Sequence, residues 1–339
     1  MAKSKKKNKK KNKKKKIKLP QLPKLLDRKI YKTGQTRGAD DDVIFQNRVA
    51  RNSTVLIPYS QFEAWKNAPD NEGIYENGFL VLLKPEDYYN NKNIDAEFEE
   101  KGLKLGKNVL LFYETREQWN TYNPDKAKLK FATSRTAPLK GKYVARVPST
   151  TSENDQKILR GFTTSGLKGA GIRIYEYASQ NINLQCRIQL EYIFWHCTDA
   201  AEVAELQGMA KENIEIRKKA NAEKAKELKL DDDKILKDIR ILNEFNHTIC
   251  PLCLKPLSAN GFFNRLEMAV GRDVPDLTVT QLNLFHIQEL RMGEFNHRPY
   301  NLGWGHHHCN IVTKDAGIIE TLKWMNEIIH ANKEKGYEF

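Results

Sequence analysis

Short runs of branched and aromatic residues, separated by polar turn residues, mark the first two thirds of the chain at positions 55–58, 79–83, 109–113, 143–147, 172–177 and 186–195. Such side chains suit the pleated, half-buried surface of a strand, so each run predicts one. Near residue 199 the pattern changes to Ala, Glu, Lys and Leu, with Val203, Leu206 and Met209 at helical spacing. This predicts a helix to about residue 230. Asp231, Asp232 and Asp233 can cap a second helix, whose apolar positions Ile235, Leu236, Ile239, Leu242 and Phe245 return every three or four residues. Residues 277–287 read as a strand, and residues 311–332 as a helix with Ile318, Ile319, Leu322, Met325 and Ile329 on its apolar face. The expected fold class is α+β, without internal repeats.

Composition narrows the picture. At 339 residues, 40% hydrophobic, the chain is long enough for two domains. No apolar run approaches the roughly 20 residues of a membrane span, and the lysine-rich start lacks the apolar segment of a signal peptide. A soluble protein of the cytoplasm, in a prokaryotic cell, is expected, with no membrane partner. Five cysteines in a chain this long do not suggest a disulfide scaffold. Of the 57 lysines and arginines, 12 are lysines within residues 1–18, leaving 45 against 43 acidic residues elsewhere. A block of like charge repels itself and buries nothing, so residues 1–18 are expected to be disordered and to attract phosphate by counterion release, or else to serve for targeting or solubility.

Near the C-terminus, Cys250-Pro-Leu-Cys253 is one half of a zinc knuckle, and His306-His307-His308-Cys309 offers a second pair at the same gap. Two residues between ligands let both side chains of a tight turn face one ion, and two such turns complete a tetrahedron. Cys250, Cys253, His306 and Cys309 are therefore the expected ligands of a structural Zn²⁺. His307 and His308 keep no such gap and are left for solvent or phosphate. Cys186 and Cys197 read as small core residues.

Between the half-sites stand Phe285-His286-Ile287 and then Asn301-Leu302, ahead of Cys309-Asn310. Over roughly residues 248–332 this resembles the HNH, or ββα-metal, nucleases, whose pattern is Asp-His-Ile, a spacer, Asn-Leu, then Cys-x-x-Cys-Asn. The resemblance implies hydrolysis of a phosphodiester, with His286 as general base and Asn310 as a ligand of a catalytic Mg²⁺. Asn301 would hold the loop that orients the histidine. An imidazole with an ordinary pKa near 6.5 can take a proton from water at neutral pH. The chain departs from the pattern at Phe285, where the family places a metal-binding aspartate. Asn283, on the same strand face by the two-residue period, is the substitute ligand expected.

The preceding residues have room for substrate selection. Arg37, Gln46, Asn47, Arg48 and Arg51 belong to segments dense in side chains that pair with base edges, and Lys168 and Arg173 to a glycine-rich basic loop suited to phosphate, though polar loops of no special role have the same composition. The expected organisation is a tail (1–18), an α+β DNA-recognition domain (19–197), a helical connector (198–247) and a zinc-containing HNH nuclease domain (248–339). An HNH module behind a recognition domain looks like a type II restriction endonuclease, and the block 34–54 is similar to the BstXI-type enzymes. That likeness implies an interrupted palindromic target in double-stranded DNA, which a homodimer matches by symmetry. A mobile-element HNH nuclease and a non-catalytic zinc-containing nucleic-acid-binding protein are the rival readings. Gly73-Ile74-Tyr75 and the pair Pro69-Asp70 with Glu99-Glu100-Lys101 are fragments of two other nuclease motifs, set aside because their surroundings do not complete them.

Overall fold

Strand β3 (Val109–Tyr113) is buried at every position. A strand with that pattern must be covered on both faces, which is the condition of a parallel sheet. It lies inside a six-stranded sheet with β1 (Val55–Pro58), β2 (Phe79–Leu83), β4 (Tyr143–Arg146), β5 (Leu159–Arg160) and β6 (Ile172–Arg173), in the order β5-β4-β3-β2-β1-β6. All neighbours are parallel except β4 and β5. Alternate residues feed two cores, Val81, Val109, Leu111 and Tyr113 on one face and Leu80, Leu110 and Val144 on the other. Short helices make the crossovers, among them Arg116–Thr121, which starts with a capping box between Thr115 and Gln118. The computed structural model describes residues 19–35, 49–69, 73–135, 137–147, 158–160, 171–264, 280–291, 293–314 and 316–337. The lysine-rich residues 1–18 lie outside these, as do Arg37, Gln46, Asn47, Arg48 and Lys168.

Several expected elements differ. Residues 186–195, read as a strand, belong to the helix Gln180–Trp195. Its buried Cys186, Leu190, Ile193 and Phe194 stand four, three and one apart, a helical spacing masked by the density of apolar residues, and Ser179 caps it by accepting from the Ile182 N–H. The run 172–177 is a two-residue strand followed by a 3₁₀ turn, Ile174–Glu176. The helix expected over 199–230 is two helices, Ala200–Leu206 and Lys211–Glu227, parted at Gly208 with φ 92°. The terminal helix is likewise two, His307–Thr313 and Ile318–Glu334, parted by Lys314 at φ 46° and Gly317 at φ 77°. Ile318 is buried, but Ile319 and Ile329 of the expected apolar face are exposed.

A third core forms around Gln180–Trp195. Helices Lys24–Lys32 and Lys211–Glu227 pack on it, together with the antiparallel hairpin of β7 (Leu282–His286) and β8 (Leu302–His306). The Trp304 indole N–H donates to the Leu190 carbonyl at 2.9 Å. Glu191, nearly buried, accepts from Arg217 Nε at 2.6 Å and Nη2 at 2.7 Å. Lys29 reaches from the first helix to Thr280 and to the Leu282 carbonyl, 2.6 Å away. The chain is thus a mixed α and β protein with a parallel sheet. No helix among the described residues is long and apolar enough to cross a membrane.

Candidate functional site

The two cysteine turns and the hairpin meet. At Cys250 the chain turns sharply, the Leu254 N–H returning to the Cys250 carbonyl at 2.8 Å with Leu254 at φ 61°. His306 ends β8, and Cys309 follows in the first turn of His307–Thr313. The ligand atoms of Cys250, Cys253, His306 and Cys309 all lie within 4.8 Å of one another, with Cys253 Sγ 3.3 Å from His306 Nδ1. Among the described residues this is the one group of three or more His, Cys, Asp or Glu side chains so gathered. Burial, and then the neighbouring Cys250 and Cys253 thiols, push the Cys309 thiol above its ordinary value. A divalent cation would turn that mutual repulsion into attraction, and three sulfurs with one imidazole are a donor set that zinc accepts in structural sites. Cys186 and Cys197, by contrast, are buried singly, and burial pushes each thiol up to about 12.

His286 is at the far end of the hairpin. The register pairs it with Leu302 and pairs Leu282 with His306, so the histidine and the cysteine cluster occupy opposite ends. Its Nε2 stands 3.3 Å from Nδ1 of His297, which is buried with no hydrogen-bond partner at its own Nε2. Burial holds the His297 imidazole well below the ordinary histidine range, and its interactions with Arg51, His286 and Arg187 act in the same direction. Asn301, also buried, clamps the loop between the strands. Its side chain accepts from the Gln288 N–H at 2.7 Å and donates to the carbonyls of Asn296 at 2.6 Å and Gln288 at 3.2 Å. One carboxamide thereby holds Gln288, two residues after His286, and Asn296, the residue before His297. An open cavity of about 780 Å³ lies beside His297, between this loop and the segment Tyr177–Ile182.

The position of the missing aspartate is filled. Phe285 is fully buried, over Gly303 and Gly305; a Cβ on Gly305 would fall 2.5 Å from its ring. Asn283 has its amide nitrogen 2.8 Å from His307 Nδ1 and 3.2 Å from the Thr280 carbonyl. His307 is therefore engaged within the hairpin, while His308 is exposed, stacked on His306 with its Nε2 3.4 Å from Cys309 Sγ. Asn310 is half-buried on the helix that returns from the cysteine end, and beyond that helix the Ile318 N–H meets the Ile287 carbonyl at 3.0 Å. Arg51 departs from the expectation of a base contact: it is 5% exposed, with Nε on the Thr33 carbonyl and Nη1 on the Glu176 carbonyl. Arg173 is half-buried, its guanidinium 5.9 Å from the Tyr175 ring. His297 escaped the sequence reading, whose only hint was a second histidine eleven residues after His286 in a polar loop.

No curated protein is similar enough to the chain to count as a match. A solved protein described as a type II restriction endonuclease shares 14% identity with it, over 47% of this chain and 58% of that one, at a TM-score of 0.30. The chain thus spans little more than half of that protein's length. A family model covers far more, matching residues 28–307 from the first helix through both ends of the hairpin, under the description BstXI restriction endonuclease. By that match, which takes in the parallel sheet, the cysteine turn and the loop of the two histidines, the chain belongs to the BstXI restriction endonuclease family.

Proposed function

We propose that the chain is a type II restriction endonuclease that cuts double-stranded DNA at a defined sequence, with the β7–β8 hairpin and the helix after it as an HNH nuclease centre. The observation that carries this reading is one hairpin with a Cys₃His cluster at one end and a polar-clamped histidine at the other, in a chain of this family. Cys250, Cys253, His306 and Cys309 would hold zinc, which supplies a rigid tetrahedral anchor for the hairpin.

His286 acts as general base. Its Nε2 stands 3.3 Å from His297 Nδ1, and a hydrogen bond between the two rings would hold the His286 imidazole in place for proton transfer from water. Asn301 fixes both histidines by clamping the loop. Asn310, half-buried on the returning helix, would meet the substrate phosphate. A protein-held Mg²⁺ fits poorly here. The oxygen donors expected were the neutral carboxamides of Asn310 and Asn283, the latter already turned to His307, and Phe285 takes the place of the carboxylate a hard cation favours. As a family of palindrome cutters would require, the enzyme works as a homodimer, in the prokaryotic cytoplasm. The buried Phe285 favours one rival, a zinc protein that binds DNA without cutting it.

The test is plasmid digestion in Mg²⁺ by the wild type and by His286→Ala, with duplex binding measured in parallel. Discrete fragments from the wild type and a loss of roughly 10² to 10⁴ in rate for the variant, with binding kept, are expected. Binding without cleavage by both proteins would establish the rival instead.

A further inference from the structure

The loops leading into β3 and β4 meet in an open cleft of about 580 Å³. Lys104, Lys107, Lys128, Lys130, Lys140 and Lys142 line it, and no acidic side chain does. All six are exposed, and none forms an ion pair among the described residues. Outside residues 1–18 the chain is nearly neutral, 45 basic against 43 acidic residues, so six uncompensated lysines in one cleft are a local excess of charge.

The cleft is built by backbone contacts. The Leu139 N–H donates to the Gly106 carbonyl at 3.0 Å and the Lys142 N–H to the Lys130 carbonyl at 2.7 Å. Gly141 packs so closely that a Cβ there would lie 2.1 Å from the Phe131 carbonyl oxygen. Lys128 and Lys140 are held at φ 52° and 54°, a region where glycine or asparagine is the usual choice, and lysine there keeps the charge.

We propose that this cleft grips the sugar-phosphate backbone of double-stranded DNA, an inference that rests on the endonuclease reading above. Lysine is a hydrated point charge without the planar fork of arginine, so it suits phosphate oxygens more than base edges. An open rim of exposed ammonium groups gains from releasing the counterions of a polyanion, whereas a small anion would call for an enclosed, desolvated pocket. The location agrees. Lys104 and Lys107 precede β3, Lys140 and Lys142 precede β4, and Arg51 precedes β1, where its carbonyl accepts from Ala178 on the wall of the His297 cavity. Both features therefore lie at the edge where the parallel strands begin. From β1 to β3 and β4 is two to three strand spacings, about 10 to 15 Å, a stretch that one duplex laid along this edge covers.

The experiment compares the full-length wild type with a variant carrying Lys104→Gln, Lys107→Gln, Lys130→Gln and Lys142→Gln, and with Lys107→Gln alone. Binding to a fluorescent 30-base-pair duplex is followed by anisotropy over a range of KCl without divalent metal. The slope of log K against log[KCl] is expected to shrink by about 0.9 per lost contact, so by about 3 to 4 for the fourfold variant and about 0.9 for the single one. A control, Lys218→Gln with Lys219→Gln on the exposed face of Lys211–Glu227, keeps the wild-type slope. Equal slopes and affinities for wild type and both cleft variants would overturn the cleft and leave the endonuclease reading standing. Variants that lose only single-stranded RNA binding, with duplex binding intact, would overturn it too. A wild type that binds no duplex at any salt would sink the endonuclease reading itself.

Discussion

Strands β3 and β7 are both five residues long, and they are stabilised differently. β3 has a strand on either side and no exposed residue, and its apolar side chains fill two cores. β7 has one partner strand and buries only Leu282 and Phe285. Two-stranded hairpins are marginal in water. This one is held by Lys29 from the first helix and the Leu190 carbonyl that receives Trp304, both distant in sequence, and by Asn301 in its loop and the cysteine turns at its end. The sheet is therefore a scaffold that needs only burial, while the hairpin depends on polar ties and, under the proposal above, on ligation through the cysteine cluster. The second arrangement is costlier to assemble but can keep a half-buried histidine at its tip.

The sharpest way to break this contrast is to remove the ligation. Cys250→Ala, or a strong chelator, is expected to abolish zinc binding and DNA cleavage and to open the hairpin amides to hydrogen exchange, while β1 to β4 stay protected. Structural zinc can contribute on the order of 10 kcal/mol in small domains, so the effect should be the largest of any single change. Equal loss of protection in sheet and hairpin would mean that the sheet and the hairpin's core unfold as one. Truncating the fully buried Leu111 probes the other side. Leu111→Ala should cost about 2 to 5 kcal/mol in denaturant unfolding and leave the zinc content of the folded protein unchanged. Zinc loss from that variant would erase the distinction.

The smallest effect concerns Lys29. Burial, then the charge of Lys32, lowers its pKa from 10.5 to about 8. Between those values the unfolded chain holds a proton that the folded chain has released, so stability should rise with pH across that window relative to Lys29→Met, which lacks the titration. Below about pH 8 the cost of burying the charge is fully present. Chemical unfolding of both proteins from pH 7.5 to 10 reads the difference, and parallel curves would place the amine in solvent.

Residues differ in how plainly the sequence announced them. The four zinc-type ligands were legible because a two-residue gap is a local property of a turn, and the structure gathers the same four. Asp232 at the start of Asp233–Asp238 was legible for the same reason, since a cap acts over three residues. The helix Gln180–Trp195 was not, because apolar and polar residues alternate from Cys186 to Tyr192 as in a strand, and the polar Asn183, Gln189 and Glu191 are buried among its apolar residues. Lys314 gave no local sign of ending a helix; its left-handed conformation fits the return of the chain to Ile287.

Composition, turn chemistry and ligand spacing thus settled by themselves that this chain has mixed secondary structure and a pair of cysteine half-sites near its end. The parallel order of the sheet, the meeting of His286 with His297, the burial of Arg51 and the convergence of six lysines from three loops were decided only in three dimensions. Each joins residues through contacts between segments separate in the chain, and such contacts leave no period or gap in a sequence because their partners are chosen by packing.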